Sequence, residues 1–298
     1  MRRRFFTLDV FTSRRFAGNP LAVVLDAAAL DGVTMQAIAR EFNLSETVFV
    51  LTPKDAAHRA QVRIFTPRAE LPFAGHPTIG TAVLLARLDG GAGERELVLE
   101  EGIGPVRCVV APREGGGFAR FDVAQEPEEA GPAEDPAAIA AALGLTLDDL
   151  GCEKFLPGHW SAGMPVTFVP VRSLEVVERS RPDPRLWDDA FGPDDPAAVF
   201  VFCRQTAEPG HTFHARMFAP SLGVPEDPAT GSAVAAFAGL LARDGGLPDG
   251  EHELDIEQGY EMGRPSLIRL GITLQGGKLF AASIGGDAVV VSEGTIEA

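Results

Sequence analysis

Cysteine is scarce and scattered in this chain: three residues in 298, at positions 108, 152 and 203, with no CxxC pair. An odd, widely separated set argues against a disulfide framework and excludes a zinc site built from cysteines. Histidine does not fill the gap. The six histidines, at 58, 76, 159, 211, 214 and 252, contain no HExxH, and no neighbouring ligand at metal-site spacing completes the close pair His211 and His214. No metal is expected. Basic residues are also in deficit, with 26 Lys and Arg against 42 Asp and Glu and a formal charge of −16. That balance argues against nucleic acid and anionic membranes as partners, but not against a small acidic substrate held in a locally positive site. Long apolar runs are missing too; the longest, near 233–242, is too short to span a bilayer. No GxGxxG follows a strand, and there is no P-loop and no GxSxG elbow, so nothing supports nicotinamide, flavin, ATP or a serine hydrolase. No cofactor is expected.

What remains is the composition of a folded globular protein, 45% apolar and 23% charged. The amino terminus needs one check. Arg2 to Arg4 precede apolar residues, and Ser13-Arg14-Arg15-Phe16 resembles a twin-arginine export signal. Asp9, Arg14 and Arg15 interrupt the apolar stretch, Asp26 ends the next one, and the same segment recurs inside the chain. A cytoplasmic location is therefore expected.

The recurrence is the strongest feature of the sequence. Ala17-Gly18-Asn19-Pro20 with Leu-Ala-Val-Val-Leu returns as Ala162-Gly163-Met164-Pro165 with Val-Thr-Phe-Val-Pro. Arg63-Ile-Phe-Thr-Pro67 returns as Arg216-Met-Phe-Ala-Pro220, and His76-Pro-Thr-Ile-Gly-Thr-Ala82 as Asp227-Pro-Ala-Thr-Gly-Ser-Ala233. Leu99-Glu100-Glu101-Gly102 returns as Ile256-Glu257-Gln258-Gly259. Four matches in one order and at nearly constant separation mean an internal duplication. The Pro- and acid-rich run ending at Asp135 reads as a linker. The expected domains are 1–125 and 136–298, joined by 126–135, with the C-terminal residues able to pack back on the first.

Each copy reads as mixed α/β. Leu21–Leu25 and Thr47–Leu51 are short β-branched runs and hence strands. Met35, Ile38, Ala39 and Phe42 repeat at helical spacing. Asp135-Pro136 reads as an N-cap and first helical residue. The clearest helices run from Ile79 to about Leu88 and from Gly231 to about Arg243. The second is apolar on all sides, as a helix enclosed by a curved sheet would be. The expected fold is α/β: two pseudo-symmetric domains, each a curved sheet wrapped round a central helix. Asp188-Asp189 and Asp194-Asp195 read as caps of helices or turns, and the Gly115–Gly117 and Gly276-Gly277 runs as hairpin turns.

The two helix starts are where chemistry could sit. Their first N–H groups lack internal partners, and the helix dipole makes that end electropositive. Gly80 and Gly231 would let a ligand approach, and Thr81 and Ser232 would add hydroxyl donors for a carboxylate or phosphate. The plainer alternative makes Thr78, Thr230 and Ser232 ordinary N-caps. His76 and Asp227 occupy equivalent places before Pro; they are either turn residues or paired holders of one substrate's polar groups. Glu46 shares a strand face with Val48 and Val50, so it lies either at an exposed strand end or over an apolar cavity, where it could work as a general acid–base. Arg68 and Glu70, in the loop before His76, could reach the same cleft.

At this point the motifs resemble a known family. Phe16-Ala-Gly-Asn-Pro-Leu-Ala-Val, Leu44-Ser-Glu-Thr-Val-Phe, Arg63-Ile-Phe-Thr-Pro, Phe73-Ala-Gly-His-Pro-Thr-Ile-Gly and Glu226-Asp-Pro-Ala-Thr-Gly-Ser-Ala are similar to those of the phenazine-biosynthesis isomerase (PhzF-like) family. The resemblance runs over essentially the whole chain. It implies the diaminopimelate-epimerase-like fold, a homodimer, no metal or organic cofactor, and isomerisation of trans-2,3-dihydro-3-hydroxyanthranilate or a similar small carboxylated metabolite. It also implies Glu46 as the acid–base, with His76 and Asp227 completing the catalytic set. Ser45, Gly75, Gly231, Ser232 and Asn19 are then substrate-binding. Epimerase cousins place one cysteine at each helix start, and neither start has one here. An epimerase or racemase of amino or hydroxy acids, and a non-catalytic metabolite-binding protein, are the alternatives.

Overall fold

The structure is a computed structural model, and it describes residues 1–131, 134–191 and 198–298. The chain forms two compact units, residues 1–122 with 285–298, and residues 123–284.

The first unit contains β1 (Arg2–Val10), β2 (Asn19–Val24), α1 (Gly32–Phe42), β3 (Glu46–Leu51), β4 (Ala60–Phe65), β5 (Glu70–Leu71), α2 (Gly75–Leu88), β6 (Arg95–Glu101), β7 (Gly104–Arg113) and β8 (Gly116–Asp122). The second contains β9 (Glu128–Glu129), α3 (Pro136–Ala142), β10 (Gly158–Ser161), β11 (Pro165–Pro170), α4 (Leu174–Arg179), α5 (Pro184–Phe191), β12 (Val199–Cys203), β13 (Phe213–Ala219), β14 (Val224–Asp227), α6 (Gly231–Asp244), β15 (Gly250–Gln258) and β16 (Ser266–Gln275). The long strand β17 (Lys278–Glu297) starts in the second unit and ends in the first.

In the first unit β1 pairs antiparallel with both β17 and β2, and β2 runs parallel to β3. The ladder continues through β4, β6, β7 and β8, and β8 pairs with β17. The sheet thus closes on itself, and α2 runs inside it, buried from Gly75 to Ala86. Alternation sorts the strand faces. On β3, Phe49 and Leu51 pack outward with Met35 and Ala39 of α1, while Glu46, Val48 and Val50 face the other way. Gly80 is needed for packing and not for ligand access, because a Cβ there would lie 2.6 Å from Leu21 Cδ2 and 2.7 Å from Val10 Cγ2. Thr81 is likewise wholly buried, in the second turn of α2, with no hydrogen-bond partner for its hydroxyl among the described residues.

The second unit repeats the plan. The ladder β9, β10, β11, β12, β13, β15, β16 surrounds α6, whose apolar residues are buried on all sides. Phe237 of α6 packs against Phe168 of β11, Phe200 and Phe202 of β12, and Phe213 of β13, with ring centroids 4.7–5.7 Å apart. Outside the sheet, α3, α4 and α5 cover Val169, Val199, Val201 and Phe218. Asp135 caps α3 by accepting from the Ala137 N–H.

Several expectations are corrected. Residues 126–129 and 134–135, read as linker, lie within the second unit, where Glu128 and Glu129 form β9 against β10. Asp188 and Asp189 sit inside α5 and make no capping bond among the described residues; Asp183 caps its start by accepting from the Arg185 N–H. Asp194 and Asp195 lie outside the described residues. The glycine pairs do form turns, with Gly115, Gly276 and Gly277 all at positive φ. Among the described residues no helix is long and apolar enough to cross a membrane.

Candidate active site

The helix α2 starts a full turn earlier than its sequence pattern suggests. Ala74 is extended and Gly75 begins the helix, with no side chain capping it. His76-Pro77 reads as a turn because the residue before proline is pushed away from the α region. The first turn nonetheless tolerates proline, since its N–H would have no partner there. His76 is thereby held in the first turn of a buried helix.

Glu46 opens β3, paired in register with Leu21 of β2. Leu21 lies against Gly80 of α2, and Asn19, two residues earlier on β2, is fully buried. The carboxylate and the imidazole come together: His76 Nε2 is 3.0 Å from Glu46 Oε2, with side chains 7% and 16% exposed. Both atoms are buried, yet neither is aligned to form a hydrogen bond with the other or with any other described group. Buried polar atoms are ordinarily satisfied, so this pair keeps unused capacity at one point in the interior. Ser45, half-buried, precedes Glu46, and buried Gly75 precedes His76.

In the second unit Asp227 ends β14 opposite Met217 of β13. Its carboxylate accepts from Thr230 Oγ1 at 2.5 Å. Thr230 is the N-cap residue of α6 but places no side-chain bond on the helix, so the N-cap alternative fails for both helix starts. Gly231 and Ser232 are the first two residues of α6, the one buried and the other half-buried. The helix start is fastened by Gln258 of β15, a residue that pattern reading passed over. Its Nε2 donates to the Asp227 carbonyl at 2.7 Å and to Thr230 Oγ1 at 3.0 Å, and its Oε1 accepts from the Thr230 N–H at 3.1 Å.

The repeat is retained down to hydrogen bonds. Glu100 of β6 accepts from the Lys54 and Asp55 N–H groups and lies 2.9 Å from His58 Nδ1. Glu257 of β15 accepts from the Ala207 and Glu208 N–H groups and lies 2.7 Å from His211 Nδ1. The amides of Asp55 and Lys54, with His58, hold the Glu100 carboxyl down at about 2. Arg63 forks onto Glu70 just as Arg216 forks onto Glu226, so Glu70 of β5 is engaged in an ion pair with Arg63 of β4. His211 and His214 both face Glu257, which accounts for their spacing without a metal. The matched segment beginning at Leu99 and Ile256 was the signal that could have found Gln258 and its counterpart Glu101. Glu101 is buried behind α2, 2.7 Å from Thr78 Oγ1. All three cysteines are buried and unpaired, and burial pushes the thiols of Cys108 and Cys203 up to about 12. None is near the thiolate state that nucleophilic or two-base thiol chemistry requires.

Comparison with known proteins agrees with this architecture. The family described as "Phenazine biosynthesis-like protein" matches residues 8–294. An uncharacterized isomerase of Mesorhizobium japonicum is 52% identical, covering 99% of this chain and 98% of its own length. The trans-2,3-dihydro-3-hydroxyanthranilate isomerase of Pseudomonas aeruginosa is 37% identical, with 98% of each covered. Among solved structures, the Bacillus anthracis phenazine biosynthesis protein of the PhzF family superposes with a TM-score of 0.89 at 28% identity, covering 100% of both chains. The chain therefore belongs to the phenazine biosynthesis-like, or PhzF, family and is an isomerase.

Proposed function

We propose that the chain is a cofactor-independent isomerase that moves a proton on a small carboxylated, cyclic or unsaturated metabolite similar to trans-2,3-dihydro-3-hydroxyanthranilate. The observation that carries this reading is the buried Glu46–His76 pair, 3.0 Å apart with both facing atoms unsatisfied. A carboxylate with spare acceptor capacity can take a proton from carbon and return it at another position, and a neighbouring imidazole can hold or relay that proton. Glu46 is the general acid–base, with His76 and Asp227 completing the catalytic set. Ser45, Gly75 and Asn19 in the first unit, and Gly231 and Ser232 in the second, are the substrate-binding positions. The name of the Pseudomonas relative supports the substrate class. The buried thiols give no support to a two-cysteine racemase. The reading carries with it a cytoplasmic homodimer, for which light scattering on the purified protein is the check.

The test is incubation with trans-2,3-dihydro-3-hydroxyanthranilate in D₂O, followed by NMR and ultraviolet absorbance. Consumption with deuterium entering at carbon is expected from the wild type. Glu46→Gln should turn over slower by roughly 10²–10⁴-fold, the usual worth of a positioned acid–base. Near-normal turnover by that variant would remove Glu46 from the role; no reaction by the folded wild type would remove this substrate.

A further inference from the structure

Glu101 is a buried acid that the proton transfer does not use. It ends β6, where its carboxyl lies behind the first turn of α2; Oε1 is 2.7 Å from Thr78 Oγ1, and Oε2 is buried with no partner. Among the described residues no cation pairs with it. An ionised carboxylate there would have one hydrogen bond and no counter-charge, which is a heavily disfavoured state.

The hydroxyl of Thr78 is compatible with a neutral Glu101, although the Ala74 carbonyl also accepts from the Thr78 N–H at 3.2 Å. The Thr78 hydroxyl has one hydrogen and two oxygens within reach: the Ala74 carbonyl at 2.8 Å and Glu101 at 2.7 Å. The carbonyl can only accept. If the hydroxyl hydrogen goes to Ala74, the contact with Glu101 is a bond only when Glu101 supplies the hydrogen. The second repeat has a comparable clamp at a different threonine, since Thr78 aligns with Ala229 and Thr230 with Ile79. The residue equivalent to Glu101 is Gln258, which cannot ionise, and its Nε2 donates to a threonine hydroxyl at the start of α6.

We propose that Glu101 is kept as a neutral carboxylic acid that donates to Thr78, fixing the first turn of α2 and with it His76 against Glu46. It is a positioning residue: it acts through α2 and touches neither partner of the pair. Its surroundings make the neutral form persistent. On β7 it faces the buried thiol of Cys108, and on α2 it faces Thr78, while His76 Nε2 lies 3.0 Å from Glu46 of β3. The remaining charged neighbours, Lys54, Arg63 and Glu70, line a cavity of about 470 Å³ that Glu101 also lines, and Arg63 and Glu70 are spent on each other. Burial raises the Glu101 carboxyl to about 8, against which the Thr78 contact is the smaller effect.

The catalytic consequence rests on the proposed function, but the protonation state does not, and the experiment separates them. Infrared difference spectra of wild type minus Glu101→Gln at pH 7 should show the carbonyl stretch of an un-ionised carboxyl. A carboxylate signal there instead would overturn the proposal. Thermal melts from pH 5 to 9 give the second readout. The wild type should lose stability relative to Glu101→Gln as pH rises from the ordinary glutamate range to about 8, and a constant difference would contradict it. With trans-2,3-dihydro-3-hydroxyanthranilate as probe, Glu101→Gln should keep kcat within a few-fold at pH 7 and extend activity to higher pH. Glu101→Ala should lower kcat by roughly ten- to a hundredfold with KM little changed, as misplacement of catalytic groups does. Equal kcat in wild type, Gln and Ala variants would refute the positioning role. If this substrate is not turned over at all, the spectra and melts still decide the protonation state, and His76 imidazole chemical shifts in the Ala and Gln variants decide the positioning; unchanged shifts in both would refute it.

Discussion

An imidazole with a carboxylate at each nitrogen has little choice of charge. His214 is 1% exposed, with Nδ1 2.7 Å from Glu257 and Nε2 2.9 Å from Glu261. Both nitrogens must donate, so the ring is an imidazolium. Burial alone would lower its pKa, but the two carboxylates outweigh burial and hold it up at about 9. Because the folded value lies above the unfolded 6.5, this stabilisation is complete below pH 6.5 and disappears as pH rises through 9. His214→Gln copies the Gln61 found at the equivalent place on β4. It should cost about 1–3 kcal/mol near pH 6, where it takes a charged donor from two buried carboxylates, and clearly less at pH 9. Urea denaturation at the two pH values checks this; an equal loss at both would mean the ring is neutral. The site residues show the same limit on reading a sequence. Alternation placed Glu46 on a definite strand face, but only the folded sheet shows that His76 lies opposite. The clamps Glu101 and Gln258 follow residues matched in the repeat, yet their targets on α2 and α6 are set by contacts across the fold.

Helices α2 and α6 carry the candidate residues at their N-terminal ends and the cores along their lengths. Phe237 fills the space among four phenylalanines from three strands. Phe237→Ala should destabilise the protein by about 3–5 kcal/mol, measured by chemical denaturation, since an enclosed ring leaves a cavity that a closed sheet cannot easily collapse. Gly80→Ala tests the opposite error: its Cβ would overlap Leu21 and Val10, at a cost of about 1–3 kcal/mol. A tolerated Gly80→Ala would show that α2 can shift within its sheet. At this scale most of the architecture was legible. Apolar periodicity marked α1, apolar runs after the paired His-Pro and Asp-Pro motifs marked α2 and α6, and β-branched runs marked β2 and β3. The start of α2 was not, because proline in a first turn looks the same in sequence as proline ending a turn. The two-residue strands β5 and β9 were not, because pairing across space, and not composition, makes them strands.

Across the whole chain, the duplication was plain from repeated motifs and the C-terminal residues were expected to pack back on the first domain, whereas their place as the strand that closes the first sheet was not readable. Nothing local distinguishes residues 285–297 from any other strand, yet they pair with β1 on one side and β8 on the other. A chain ending at Ile284 should lose hydrogen-exchange protection in α2 far more than in α6, since only the first sheet would be left open. Equal protection in both helices would mean that the first unit holds together without its last strand.

That shared strand also bears on the order of events during synthesis. Domains usually fold as they leave the ribosome, the N-terminal one first. Here the first-made half keeps two unpaired sheet edges, at β1 and β8, until a strand translated after the whole of the other half has emerged. Such edges are templates for association with other chains. The half that is made first is completed last, and the interval between those two moments is when the nascent chain most needs to be kept apart from its neighbours.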